Sequence, residues 1–145
     1  MKNRSSFALA AVAAMGILTA GMSAQAAGTL VNVTLTDGAA GMDIVTDKNR
    51  AVAGPVSFSG SNKSPADLQH EMLVVKVDSD APVMPYDDAT DRIPEDKIAS
   101  LGEIPEIDSG EGGALLLDLK PGSYMLFCNK PGHYKAGMHR IFYVE

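Results

Sequence analysis

The chain has 145 residues, with 12 Lys and Arg against 18 Asp and Glu, a formal charge of −6 and 46% hydrophobic residues. That length is enough for one buried core, and the acidic balance disfavours nucleic acid or anionic lipid as a partner. Cys128 is the only cysteine, so no internal disulfide is possible.

Lys2 and Arg4 precede an apolar stretch from Phe7 to Met22, and Ala24-Gln25-Ala26 follows it as a small-x-small cleavage signal. The pattern predicts a signal peptide over 1–26, cut after Ala26, and a mature chain in the periplasm. The apolar stretch is interrupted by Gly16, Thr19 and Gly21 and falls short of the roughly 20 residues of a span, so no stable membrane insertion of the mature chain is expected. Ala27 to Glu145 is then a single domain of 119 residues, with ten basic residues against eighteen acidic ones and a formal charge of −8. A free thiol in an oxidising compartment needs a reason to exist.

Leu30 to Thr36 alternates Leu30, Asn32, Thr34 and Thr36 on one side with Val31, Val33 and Leu35 on the other, the period of a half-buried strand. Val52 to Phe58 is a less regular strand, in which Gly54-Pro55 hints at an edge or a bulge. Ser59 to Pro65 is rich in turn formers and reads as a loop. His70 to Val77 is apolar on both faces, as expected of a central strand. Asp78 to Gly113 carries eleven acidic residues against Arg92 and Lys97 and reads as a long solvated connection with a short helix from about Pro94 to Leu101. Leu115 to Leu119 and Tyr124 to Cys128 are strands joined by Lys120-Pro121-Gly122-Ser123, where proline presets φ and glycine supplies a positive one. The same signature recurs at Lys130-Pro131-Gly132. Gly137 leads into a last strand, Met138 to Val144. Short strands with turn signals between them and little helical periodicity predict an all-β, antiparallel sandwich with Greek-key connections.

The chemistry concentrates in Cys128-Asn-Lys-Pro-Gly-His133-Tyr-Lys-Ala-Gly-Met138. A thiolate, an imidazole and a thioether on one short loop form a donor set that suits copper. His70, at the head of a buried strand, is the natural fourth donor. Taken singly, a lone cysteine is often a small buried hydrophobe and a methionine is often core filling. Three such residues in eleven, at this spacing, point to a metal instead.

These residues resemble the type 1 blue-copper site of the cupredoxins, and the Cys-x4-His-x4-Met spacing is similar to that of rusticyanin and sulfocyanin. The likeness covers about Gln69 to Val77 and Leu115 to Glu145. It implies a Greek-key sandwich holding one copper ion, cycling between Cu(I) and Cu(II), with His70, Cys128 and His133 in the trigonal plane and Met138 as weak axial ligand. It implies electron transfer rather than catalysis, so no enzymatic activity is expected.

Many cupredoxins carry an asparagine after the first histidine, whereas this chain has Glu71. One cysteine cannot build a dinuclear copper centre, and Cys128 is flanked by Phe127 and Asn129 rather than by histidines that reach a second metal. His139 follows Met138 and is expected on the opposite strand face. Two functions fit. The first is a monomeric shuttle between redox proteins, such as a basic c-type cytochrome or a terminal oxidase. Its electrons would leave through His133, Tyr134, Ala136 and Met84 would form a docking patch, and the acidic stretch would steer the partner. The second is copper sequestration or resistance, although Met42, Met72, Met84 and Met125 are scattered rather than clustered.

Overall fold

The computed structural model describes residues 28–145, and the expected signal peptide over 1–26 lies outside them. Nine strands follow in chain order: β1 (Thr29–Thr36), β2 (Asp43–Thr46), β3 (Arg50–Ala51), β4 (Gly54–Asn62), β5 (His70–Val77), β6 (Ser100–Ile107), β7 (Gly112–Leu119), β8 (Gly122–Phe127) and β9 (His139–Val144). They form two sheets, ordered β2-β1-β4-β7 and β3-β9-β8-β5-β6. The chain crosses to the second sheet for the short β3, returns for β4, crosses again from β4 to β5, returns from β6 to β7, and crosses a last time from β7 to β8. The pairing is antiparallel except for β1 with β4 and β3 with β9, which are parallel. The expected all-β sandwich is therefore present, with two parallel pairs that the sequence pattern did not announce.

The inward residues of β1 (Val31, Val33, Leu35) meet Phe58, Met72, Val74, Ile104, Leu126 and Phe142 in the core between the sheets. Phe58 and Phe142 contact edge to face, with ring centroids 5.4 Å apart, and burying each such side chain stabilises the fold by about 1.5–3 kcal/mol. Gly60 and Gly113 are paired across β4 and β7. A Cβ at either position would lie 2.7 or 2.6 Å from the Ile104 side chain of the opposite sheet. The two glycines thus make the space into which Ile104 packs.

Several expectations need correction. The turn-forming stretch from Ser59 is not all loop, because β4 runs on to Asn62. Pro55 is on neither an edge strand nor a bulge: β4 lies between β1 and β7, and the proline sits at its start, beyond the last residue paired with β1. Most of the expected short helix is absent. A single 3-10 turn covers Glu95–Lys97, and Ser100 already opens β6. The acidic stretch is therefore an edge strand plus a strap (78–99) laid over the outer face of the second sheet. Between the strap and the sheet lies a second apolar cluster, in which Ile93 of the strap joins Leu73, Val75, Val77, Met125 and Phe127 of the sheet, with Met84, Tyr86, Ile98, Tyr134 and Ile141 packed around it. Ten of the eleven acidic side chains are exposed and Asp87 is half-buried.

Among the described residues, no helix is long and apolar enough to cross a membrane.

Candidate metal centre

Three of the four candidate donors sit where a regular element starts or stops, and His133 lies in the loop between β8 and β9. His70 is the first residue of β5, Cys128 follows the last residue of β8, and Met138 precedes the first residue of β9. Cys128, Met138 and His70 are fully buried, and His133 is 9% exposed. The Cys128 N–H donates to the Met138 carbonyl at 3.0 Å, continuing the β8–β9 ladder by one pair. The ligand loop is thereby closed at its base.

Turns set the interior of that loop. The His133 N–H donates to the Lys130 carbonyl at 3.0 Å across Pro131-Gly132, with Gly132 at φ +80°, the conformation expected of Pro-Gly at the centre of a tight turn. The Met138 N–H then donates to the His133 carbonyl at 3.0 Å, and Gly137, at φ +100°, turns the chain into β9. The start of β5 is held separately. The buried Asn62 side chain donates to the carbonyls of Leu68 at 2.7 Å and Ile107 at 2.9 Å and accepts from the Ser64 N–H at 2.9 Å. It pins the loop that delivers His70, and only the tertiary contacts reveal this role.

Three of the four predicted side chains converge. One donor atom each from His70, Cys128 and His133 lies within 4.8 Å of the others. Cys128 Sγ is 3.4 Å from His133 Nδ1, and the two Nδ1 atoms are 3.2 Å apart. The Glu71 N–H points at Cys128 Sγ from 3.5 Å. Met138 packs in the same buried cluster as Cys128. His139 is exposed and lies against Tyr134, with centroids 4.7 Å apart, away from this group as expected.

Burial determines the protonation of the site. It pushes the Cys128 thiol up to about 11, against the opposing pull of the Glu71 and Lys130 backbone N–H groups. Burial, then the neighbouring His70, brings His133 down to about 4. Burial also lowers His70. Near neutral pH the two rings are uncharged, and their facing Nδ1 atoms hold at most one proton between them. Two converging neutral imidazoles, an ionisable thiol and a nearby thioether fit a thiophilic metal ion such as copper.

Glu71 is 4% exposed, and its Oε1 has no hydrogen-bond partner among the described residues. Burial, reinforced by Glu106, raises its carboxyl to about 7. The acid that departs from the resemblance is thus a desolvated group on the strap side of β5.

No family model matches the chain, and no curated protein matches it in sequence. Solved structures do match. The dithionite-reduced auracyanin of the photosynthetic bacterium Roseiflexus castenholzii superposes with a TM-score of 0.58 at 19% identity, covering 83% of this chain and 99% of that one. Auracyanin A, a "blue" copper protein from the green thermophilic photosynthetic bacterium Chloroflexus aurantiacus, gives 0.56 at 22% identity over 82% and 100%. The fold is cupredoxin-like. An azurin from the obligate methylotroph Methylomonas sp. strain J extends the likeness, with a TM-score of 0.52 at 16% identity over 81% of this chain and 98% of that chain.

Proposed function

We propose that this chain is a periplasmic mononuclear type 1 copper protein that shuttles electrons between redox partners. The observation that carries the reading is the convergence of His70, Cys128 and His133, all buried, within 4.8 Å at one end of a cupredoxin-like sandwich. The Cys-x4-His-x4-Met spacing adds Met138 as the weak fourth donor and supports a likeness to rusticyanin and sulfocyanin in this loop. Copper bound there would supply a one-electron Cu(I)/Cu(II) couple. The protein's part is to hold the donors in place, so that a change of charge needs little rearrangement, and to exclude water. The strand termini and the turn bonds at Gly132 and Met138 serve the first purpose, and burial the second.

Each donor has a distinct role. Cys128 gives up its proton to become a charged ligand, while the two histidines bind as neutral rings. His133 is the one histidine of the pair with any exposed surface and is our choice for electron exit. The exposed acidic side chains support a basic partner, a c-type cytochrome for example, and would act through encounter rate. Export rests on the 1–26 signal pattern. Tyr134 and Met84 are packed against the outer cluster, which leaves Ala136 as the exposed member of the docking patch.

Copper sequestration is the competing use. Apart from Met138, the buried methionines divide between the two clusters, Met72 in the inner one and Met125 in the outer one, a distribution that favours a single ion.

The test is a Cu(II) titration of residues 27–145 followed by visible absorption and paramagnetic resonance, with Cys128→Ser in parallel. An intense thiolate charge-transfer band with narrow hyperfine splitting, saturating at one equivalent and absent in the variant, is the expected result. Several equivalents bound would favour sequestration. A spectrum that Cys128→Ser leaves unchanged would sink the ligand assignment, and a preference for zinc would replace the redox reading.

A further inference from the structure

β8 ends at Phe127, and beyond the Cys128–Met138 bond the ligand loop has no strand partner. The strap takes that place. The Ile93 N–H donates to Asn129 Oδ1 at 2.8 Å, and Asn129 Nδ2 donates back to the Ile93 carbonyl at 2.9 Å. Both residues are 1% exposed. One side chain therefore satisfies both backbone groups of a buried strap residue, as a neighbouring strand would. Asn129 Nδ2 also reaches Glu95 Oε1 at 3.2 Å, and the Gly132 N–H donates to the Asp91 carbonyl at 2.8 Å.

The ligand loop and the strap are thus joined along 129–132 and 91–95. Ile93 belongs to the same outer cluster as Leu73 and Phe127, and Phe127 directly precedes Cys128. The backbone at Cys128 is held from one side by the Met138 carbonyl and from the other through Asn129. Asn129 has no lone pair aimed at the donor group; its bonds all go to the strap.

We propose that Asn129 is a positioning residue: by bonding both backbone groups of Ile93 it makes the strap over 84–98 a buttress that fixes the start of the ligand loop, and with it the Cys128 sulfur. The inference rests on the copper reading for its effect on the metal, but the tie itself exists without metal. The buttress is therefore already set when an ion arrives, and the sulfur does not have to find its place on binding.

Asn129→Ala, Asn129→Asp and Asp88→Asn test the idea. Asp88 also joins strap to loop, through Lys135 at 2.6 Å, but that pair is exposed. In metal-free protein, Asn129→Ala is expected to speed amide exchange across 84–98 by about tenfold or more, with β1 and β4 unchanged, because two buried backbone groups lose their partners. In the Cu(II) form, its charge-transfer band and hyperfine splitting should differ from those of the parent. Asn129→Asp keeps the acceptor for the Ile93 N–H but sets an acceptor against the Ile93 carbonyl and Glu95, so it too should speed exchange across 84–98, and, leaving no cavity, it serves if the alanine variant does not fold. Asp88→Asn should leave both readouts at the parent values. Unchanged strap exchange, uniform loss of protection throughout the molecule, or a copper spectrum superimposable on the parent's in the Asn129 variants would overturn the proposal. A parent protein with no charge-transfer band would sink the copper reading separately, while the exchange data would still decide whether Asn129 holds the strap.

Discussion

β1 and β5 are each eight residues long, yet β1 alternates buried and solvent-facing positions while β5 buries every residue except Lys76. The difference lies in what covers the second face. β1 belongs to a sheet whose outer face is open, whereas β5 has the sandwich core on one side and the strap on the other. A sheet covered on both faces is a rigid platform, and this one carries His70 and leads into Cys128. The candidate metal centre stands on the half of the molecule with two cores.

The comparison predicts unequal responses to core truncation. Phe58→Ala, in the inner core, should cost about 3–5 kcal/mol in a denaturant titration, and Met84→Ala, half-buried under the strap, about 1–2 kcal/mol. Equal losses would mean that the two clusters form one cooperative core. A loss from Met84→Ala confined to exchange of the strap amides would mark the outer cluster as a separately opening unit.

The second face also holds Glu71, which sharpens the contrast because β1 has no buried acid. Its carboxyl rises from an ordinary 4.5 to about 7 on folding, so the folded state favours the protonated form. The stability this group contributes is complete below about pH 4.5 and is lost as pH rises through about 7. In metal-free protein, Glu71→Gln should therefore gain on the parent by up to about 3 kcal/mol between pH 5 and pH 8. Comparing the two proteins at the same pH cancels the opposing contribution of His133, which is present above 6.5 and lost as pH falls through about 4. A pH-independent difference would show that Glu71 escapes to solvent.

A separate pH effect, on metal binding rather than on stability, follows from the thiol held up at about 11. Binding a metal ion as thiolate must expel one proton, and His133 has none to lose at neutral pH. Apparent affinity should rise about tenfold per pH unit from pH 7 to pH 10, with one proton released per ion to an indicator dye. No release would mean that the thiol is already ionised. Smallest is Tyr124→Phe: its hydroxyl donates to the Lys120 carbonyl at 2.6 Å across the β7–β8 turn, and its loss should cost about 1 kcal/mol without opening a cavity. A cost as large as that of Phe58→Ala would show that the turn, rather than the inner core, limits stability.

Much of the molecule is legible residue by residue. The alternation in Val31, Val33 and Leu35, the double-sided apolar run after His70, and the Pro-Gly turn before His133 each follow from local chemistry, and each appears at its predicted place; at Pro121-Gly122 the chain changes sheets instead, with Gly122 already the first residue of β8 at φ +147°. β6 was hidden for an identifiable reason. Ile104 and Ile107 both point inward although they are three residues apart, a helical spacing, because the pairing with β5 shifts between His70 and Met72. Pro105 and the flanking acids are tolerated because β6 is an edge strand. β2, at four residues, is too short to show a period.

The sequence by itself determined which residues are candidate donors, since a thiol, an imidazole and a thioether at fixed spacing over 128–138, with His70 at the head of a strand, limit the metal chemistry open to the chain, and it determined that the domain is built of strands. Only the tertiary structure decided that the strap covers the second sheet, that Glu71 is desolvated, and that Asn62 and Asn129 hold the two segments bearing the donors. Those outcomes depend on pairs such as Asn129 with Ile93, 36 residues apart, whose hydrogen bonds leave no trace in local pattern because either partner alone reads as an ordinary polar or apolar residue.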